Sequence, residues 1–249
     1  MQVLGYRADM PRDTLTREQI VRAAIELLDA DGVEGLSMRR LGDRLGSAAT
    51  AVYWHVKSKD DLVVLAADTV WGEIQLPDPA ELGWRTAATR IARDTYTMIT
   101  RHPWLLSAMS TSLVYGPRKA RYDDHCLAVY EAAGFTGADA DNAHKTVFAF
   151  VLATALGEAA ERLWRARVRR HGGDDDEQLR GTIARASEIA MRFPRLRARV
   201  EALEDADPAA AGEQSFEFGL QVILDGLQGR LSTRLVPAKP GVPPPAAAS

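Results

Sequence analysis

Only one cysteine, Cys126, occurs in 249 residues, so no intrachain disulfide can form. That suits a reducing cytoplasm, the expected location. Cys126 itself reads as a small buried hydrophobe rather than a reactive thiol. Long apolar runs are also missing. The longest, Val147 to Leu156, contains Thr154 and stops at Gly157-Glu158, too short to span a bilayer. The first residues lack an apolar run, so no signal peptide is expected. Charge of one sign is scarce: 31 Lys and Arg face 34 Asp and Glu, for a net charge of −3. The five histidines are scattered, and no pair has the spacing of a zinc site. There is no Gly-rich phosphate loop, no GxSxG and no HExxH, which removes the commonest catalytic signatures. Neither an internal repeat nor a convincing strand is visible. A hydrophobic fraction of 46% is ample for a globular core, and the length suits one or two domains.

What the chain does carry is concentrated between Leu36 and Lys59, which reads LSMRRLGDRLGSAATAVYWHVKSK. Ser37 is a good helix N-cap, because its hydroxyl can accept from the free amides of the first turn. A short helix follows, with Leu41 and Leu45 on one face. Gly46 stops it, since glycine tolerates the left-handed conformation of a helix end. A second short helix runs from about Ala48 to Trp54. Two short helices joined by a tight Gly-containing turn make a helix-turn-helix. Arg39, Arg40, Arg44, Lys57 and Lys59 face one acid, Asp43, for a local net charge of +4. That excess suits a phosphate backbone.

This stretch resembles the DNA-binding domain of the tetracycline-repressor (TetR) family of transcriptional regulators. The residues that carry the resemblance are Gly35 to Leu41, Leu45-Gly46 and Tyr53 to Lys59, over a similar region from Thr16 to Val70. The resemblance implies base-facing positions for Ala49, Thr50 and Tyr53, and a reach toward guanine for Arg39. Arginine can pair bidentately with guanine. Ser37, His55 and Lys59 match the family's phosphate contacts. Ala49 departs from the archetype's adenine-reading glutamine, so the archetype's operator does not carry over. Trp54 is expected on the inner face of the small domain.

The rest of the chain reads as helices. A capping box, Thr16 to Gln19, opens a first helix with Ile20, Ala24, Leu27 and Leu28 inward, closed by Gly32. Ser58 begins a helix that runs to Trp71 and leads out of the head. Pro77-Asp78-Pro79 marks a domain boundary. One helix is expected from about Ala80 to Arg101, a short one from Trp104, one from Pro117 to Gly134 and a long one to about Arg170. Irregular helical pieces lie around Pro194. The last, Gln214 to Leu231, is apolar nearly all round, so its own domain would not cover it. The fold class is therefore all-α: a three-helix head with a helix-turn-helix, joined by a linking helix to a larger helical body for ligand binding and dimerisation. The expected divisions are a loose tail at 1–13, the head with its linking helix at 14–76, the body at 77–235 and a disordered tail at 236–249. The charged run around Gly172-Gly173 reads as a solvated turn.

By the same resemblance the body holds a pocket for a largely apolar small molecule. Its candidates are Trp84, Ile91, Thr95, Met98, His102, Trp104, Leu127 and Phe148. The family's archetype uses a histidine near His102 to hold a magnesium-bound drug. No second ligand at suitable spacing accompanies it here, so no metal and no cofactor are expected. The chain is read as a repressor that binds a palindromic duplex operator as a homodimer and is released by a small molecule. One head reads too few base pairs alone, and a dimer matches two half-sites. The long helix and the last helix are expected to form the interface, with Leu220 and Leu227 on the shared face. The alternatives are an enzyme with a helical body fused to a DNA-binding head, and a regulator that answers to a protein partner. No membrane partner is expected.

Overall fold

The computed structural model describes residues 15–170, 175–203 and 208–235. The expectations for both tails and for the Gly172-Gly173 turn fall outside those residues. Every regular element among the described residues is a helix. Four helices form the head: α1 (Arg17–Gly35), α2 (Met38–Arg44), α3 (Ala49–Tyr53) and α4 (Lys59–Trp71). Each of the longer starts has a side-chain cap. Thr16 Oγ1 accepts from Gln19 N at 3.2 Å, while Gln19 Oε1 accepts from Thr16 N at 2.8 Å. Ser37 Oγ caps α2 through Arg40 N, and Ser58 Oγ caps α4 through Asp61 N. Gly32, with φ of 69°, breaks the regular course of α1 three residues before its end, a conformation that glycine adopts readily.

The head core is built from Ile20, Ala24 and Leu28 of α1, Leu41 of α2, Val52 of α3, and Leu62 and Ala66 of α4, all fully buried. Trp54 does not join them. It is 88% exposed, contrary to its expected inner position. Val52 and Val56 take the inward positions, four residues apart, and Trp54 falls halfway round between them.

The body comprises α5 (Pro79–Leu82), α6 (Trp84–Arg101), α7 (Trp104–Thr111), α8 (Pro117–Ala132), α9 (Ala138–Arg170), α10 (Asp175–Ala190), α11 (Pro194–Leu203) and α12 (Pro208–Leu235). The single helix expected from Ala80 to Arg101 is two. Gly83, at φ 75°, separates them. α9 is the spine, against which α1, α6, α8 and α12 all pack. Its 33 residues make it about 50 Å long at 1.5 Å per residue. α10 and α11 are regular helices rather than irregular pieces.

α12 corrects a further expectation. Leu220 and Leu227, expected to face another chain, are buried in this one, together with Phe216, Leu224 and Leu231. These residues share the face turned to α9, where Gly219 comes so close that a Cβ would sit 2.5 Å from the Phe150 ring. The opposite face is the uncovered one: Phe218 is 74% exposed and Val222 54%. Leu156 of α9 is exposed as well.

Among the described residues, two polar joints stand out from the other contacts that tie head to body. At one, Asp68 of α4 lies buried against the start of α8, and its Oδ1 accepts from the amides of Arg118 at 2.9 Å and Lys119 at 3.1 Å. These are two of the amides that a helix start leaves without partners. Gly116 allows the approach, since a Cβ there would meet the Asp68 carboxylate at 2.5 Å. Asp68→Ala should therefore lower stability by about 1–3 kcal/mol, the usual cost of buried donors left unpaired. Urea unfolding followed by circular dichroism measures this, and an unchanged midpoint would contradict the role given to Asp68.

Candidate nucleic-acid interface and body pocket

The basic excess of the head divides in two. Arg40 donates to Gly35 O at 2.7 Å and pairs with Asp31, while Arg44 pairs with Glu26. Those two guanidinium groups brace α2 against α1. Arg39, Lys57 and Lys59 have no ion-pair partner among the described residues. Arg39 and Lys57 are exposed, and Lys59 is half-buried at the first position of α4. On α3, Thr50 and Tyr53 are exposed and Ala49 is half-buried; His55 follows, also exposed. Ser37 is half-buried with its hydroxyl engaged in the cap. The seven residues singled out for DNA thus lie on or beside α2, α3 and the start of α4, and none is buried. Trp54 adds an exposed indole beside Tyr53 that the sequence reading had turned inward.

The body candidates do not come together in one place. A cavity of about 10 Å³ lies among α6, α8 and α9, lined by Ala88, Ile91, Ala92, Tyr122, Cys126, Val129, Tyr130, His144, Val147, Phe148 and Val151. It has room for about one water. Of the eight candidates, Ile91 and Phe148 line it. Thr95 stands behind its wall, with Oγ1 donating to Ile91 O at 2.7 Å and lying 3.2 Å from Tyr122 Oη. Trp84 is half-buried and packs on Tyr130 at 6.4 Å between ring centroids. Met98 is core, and Leu127 is half-buried on α8. Burial pushes the Cys126 thiol up to about 12, so it is a neutral wall group at ordinary pH.

His102 and Trp104 sit at the second joint between head and body. His102 Nδ1 is 2.6 Å from Asp29 Oδ1 of α1, and Trp104 Nε1 donates to the same oxygen at 2.7 Å. His102 Nε2 is 3.3 Å from Glu73, just past α4. Both ring nitrogens thus face carboxylates on opposite sides, so each is engaged and neither is free to ligate a metal-bound drug. No group of three or more His, Cys, Asp or Glu is placed to hold a metal ion among the described residues. Burial works against a charged His102 ring. The hydrogen bond and charge of Asp29, with the charge of Glu73, outweigh it and raise the pKa above 6.5.

A helix-turn-helix with an exposed basic face, carried on a helical body, defines a DNA-binding regulator of transcription. Residues 20–66 match the family described as bacterial regulatory proteins, tetR family, and residues 76–231 match the tetracyclin repressor-like C-terminal domain. The chain is 35% identical over 218 residues to an HTH-type transcriptional regulator of Saccharopolyspora erythraea, across 86% of this chain and 84% of that protein. It is 32% identical over 213 residues to the tetracycline repressor protein class A from transposon 1721 in Escherichia coli, across 85% of this chain and 89% of that one. The TetR family protein ActR from Streptomyces coelicolor, solved in complex with actinorhodin, superposes with a TM-score of 0.67 at 25% identity, over 86% of this chain and 96% of that chain. This chain belongs to the TetR family of transcriptional regulators. No helix among the described residues is long and apolar enough to cross a membrane.

The His102 joint has a definite pH signature. A group whose pKa rises on folding stabilises the fold fully below its unfolded value, here 6.5, and loses that contribution as pH climbs through the folded value. Thermal melts from about pH 5.5 to 8.5 should show a falling contribution in the wild type that is missing in His102→Gln. Parallel curves for the two proteins would contradict the assignment.

Proposed function

We propose that this chain is a repressor that binds a near-palindromic duplex operator as a homodimer in the cytoplasm and leaves it when a small molecule enters the body. The observation that supports the DNA reading best is the exposed face of Arg39, Thr50, Tyr53 and Lys57, whose cations have no partner within the described chain. In this reading Ala49, Thr50 and Tyr53 approach base edges, and Arg39 reaches a guanine. Ser37, His55 and Lys59 flank them at phosphates. Residues 14–76 act as the reading head and 77–235 as the body that receives the effector and the second subunit. Sequence similarity to regulators across both parts supports this over an enzyme with a DNA-binding head.

The effector site in this reading is the space bounded by Ile91, Tyr122, His144 and Phe148. ActR, whose structure holds actinorhodin, supports a body site of this kind. At about 10 Å³ the cavity must open to admit a ligand, as minor-state pockets do. That small volume also favours a second reading, in which a protein partner acts on the body. A ligand bound more tightly by the DNA-free form must lose affinity by the same factor when operator is present. Titrating apolar metabolites and drugs with and without operator separates the two readings.

Two outcomes are expected. Tyr53→Ala or Arg39→Ala should cost on the order of 1–3 kcal/mol and blur sequence preference, while Lys59→Ala should flatten the salt dependence by about one unit. Fluorescence anisotropy on duplexes enriched from a random pool measures both, and failure to enrich any sequence would contradict the DNA reading. The interface is expected on the uncovered face of α12. Changing both Phe218 and Val222 to Glu should give a folded monomer by light scattering; a wild type that is already monomeric at micromolar concentration would refute the dimer.

A further inference from the structure

Lys119 stands in the first turn of α8, and it is only 9% exposed. Lysines are rarely buried, because the ammonium must leave water. Here aromatic faces replace that water. Its Nζ lies 4.8 Å from the Trp71 ring centroid, 5.2 Å from that of Tyr122 and 5.3 Å from that of Phe148. Tyr115, on the exposed segment that leads into α8, contributes a fourth ring at 6.0 Å. Asp123, one turn further on, pairs with the ammonium, and His144 Nε2 lies 3.4 Å from the same carboxylate. Burial opposes charge on Asp123, but hydrogen bonds from His144 and Lys119 outweigh it and hold its pKa below the usual value. Tyr122, His144 and Phe148 also line the body cavity, so cage and cavity share walls. Trp71 Nε1 is buried there without a hydrogen-bond partner among the described residues.

Ring faces and a carboxylate around one nitrogen form the recognition set for an organic ammonium. Lys119 supplies that nitrogen from the chain itself. An anion would have to lay its charge against electron-rich faces and compete with Asp123 for Lys119. We propose that this cage is the charge-recognition subsite of the body and takes an effector bearing an organic ammonium, which replaces Lys119 Nζ over Trp71, Tyr122 and Phe148 and pairs with Asp123. The inference rests on the small-molecule reading above. Lys119 acts as a tethered competitor, so only a cation that outcompetes it gains entry. The exchange also reaches the head. Trp71 ends α4, and the Lys119 amide is bonded to Asp68 of the same helix.

Isothermal titration of the full chain without DNA tests this with three probes: benzyltrimethylammonium, its neutral carbon isostere neopentylbenzene, and the anion phenylacetate. Lys119→Met keeps the apolar stem and removes the competing charge. It should bind benzyltrimethylammonium about tenfold or more tightly than the wild type does, and prefer it to neopentylbenzene by a similar factor. The wild type should show the same preference in weaker form; Asp123→Asn, in the otherwise unchanged chain, should erase it, and that comparison decides the matter if Lys119→Met does not fold. Equal affinity of Lys119→Met for the charged and neutral probes overturns the proposal. So does a preference that survives Asp123→Asn, or phenylacetate binding that weakens when Lys119 is replaced. Operator binding by the wild type is measured alongside. If the wild type binds operator and neopentylbenzene weakens that binding while the ammonium preference fails, the cage alone is wrong; if none of the probes binds the protein or shifts operator binding, the small-molecule reading beneath it falls too.

Discussion

The carboxylate of Asp68 is the constraint on which the arrangement of head and body depends. It is buried at the end of the helix that leaves the head, and it accepts two amides from the start of α8. A buried carboxylate without such donors would be costly, so the two helices are held in one relation. Trp71, one turn beyond Asp68 and fully buried, adds packing against Tyr122 at 4.8 Å between ring centroids. The same helix contributes Leu62 and Ala66 to the head core. α4 therefore belongs to both halves, and neither can shift along it without disturbing the other. Asp29 makes a second tie, from α1 to His102 and Trp104.

Local chemistry made much of this legible in the sequence. Thr16, Ser37 and Ser58 are caps because each hydroxyl needs only an amide three residues on, and the helices start where those residues say. The basic helix-turn-helix was equally plain. Gly83 was a missed signal, since a glycine inside a helical pattern is a warning of a break. Trp54 stands outside the core although the inner face of the head was expected for it. The spacing of Val52 and Val56 argued against it, and in a helix this short spacing wins. On α12 the sequence showed too many apolar positions for one face, but which face meets its own chain was not readable. Leu220 and Leu227 went inward because α9 lies on that side.

The joints were not legible at all. Asp68 and the α8 amides are 50 and 51 residues apart, and Asp29 and His102 are 73 apart. No local pattern links such residues; the fold brings them together. The body site has the same character. Sequence alone treated His102 and Trp104 as pocket residues, whereas they brace α1. Nothing in the sequence marks Lys119, because a lysine beside Arg118 and Arg121 at a helix start is ordinarily solvated. It becomes informative only once Trp71, Tyr122 and Phe148, from three different helices, are seen around it.

The central claim is that the operator-reading face and the body are linked through α4. Amide hydrogen exchange at Arg118 and Lys119 tests it most directly, with operator DNA present and absent. Those amides are bonded to Asp68, in the body rather than on the reading face. If α4 carries the coupling, operator binding changes their exchange rates, together with those of the α3 amides at the DNA. Protection confined to the head, with Arg118 and Lys119 exchanging as before, would contradict the claim.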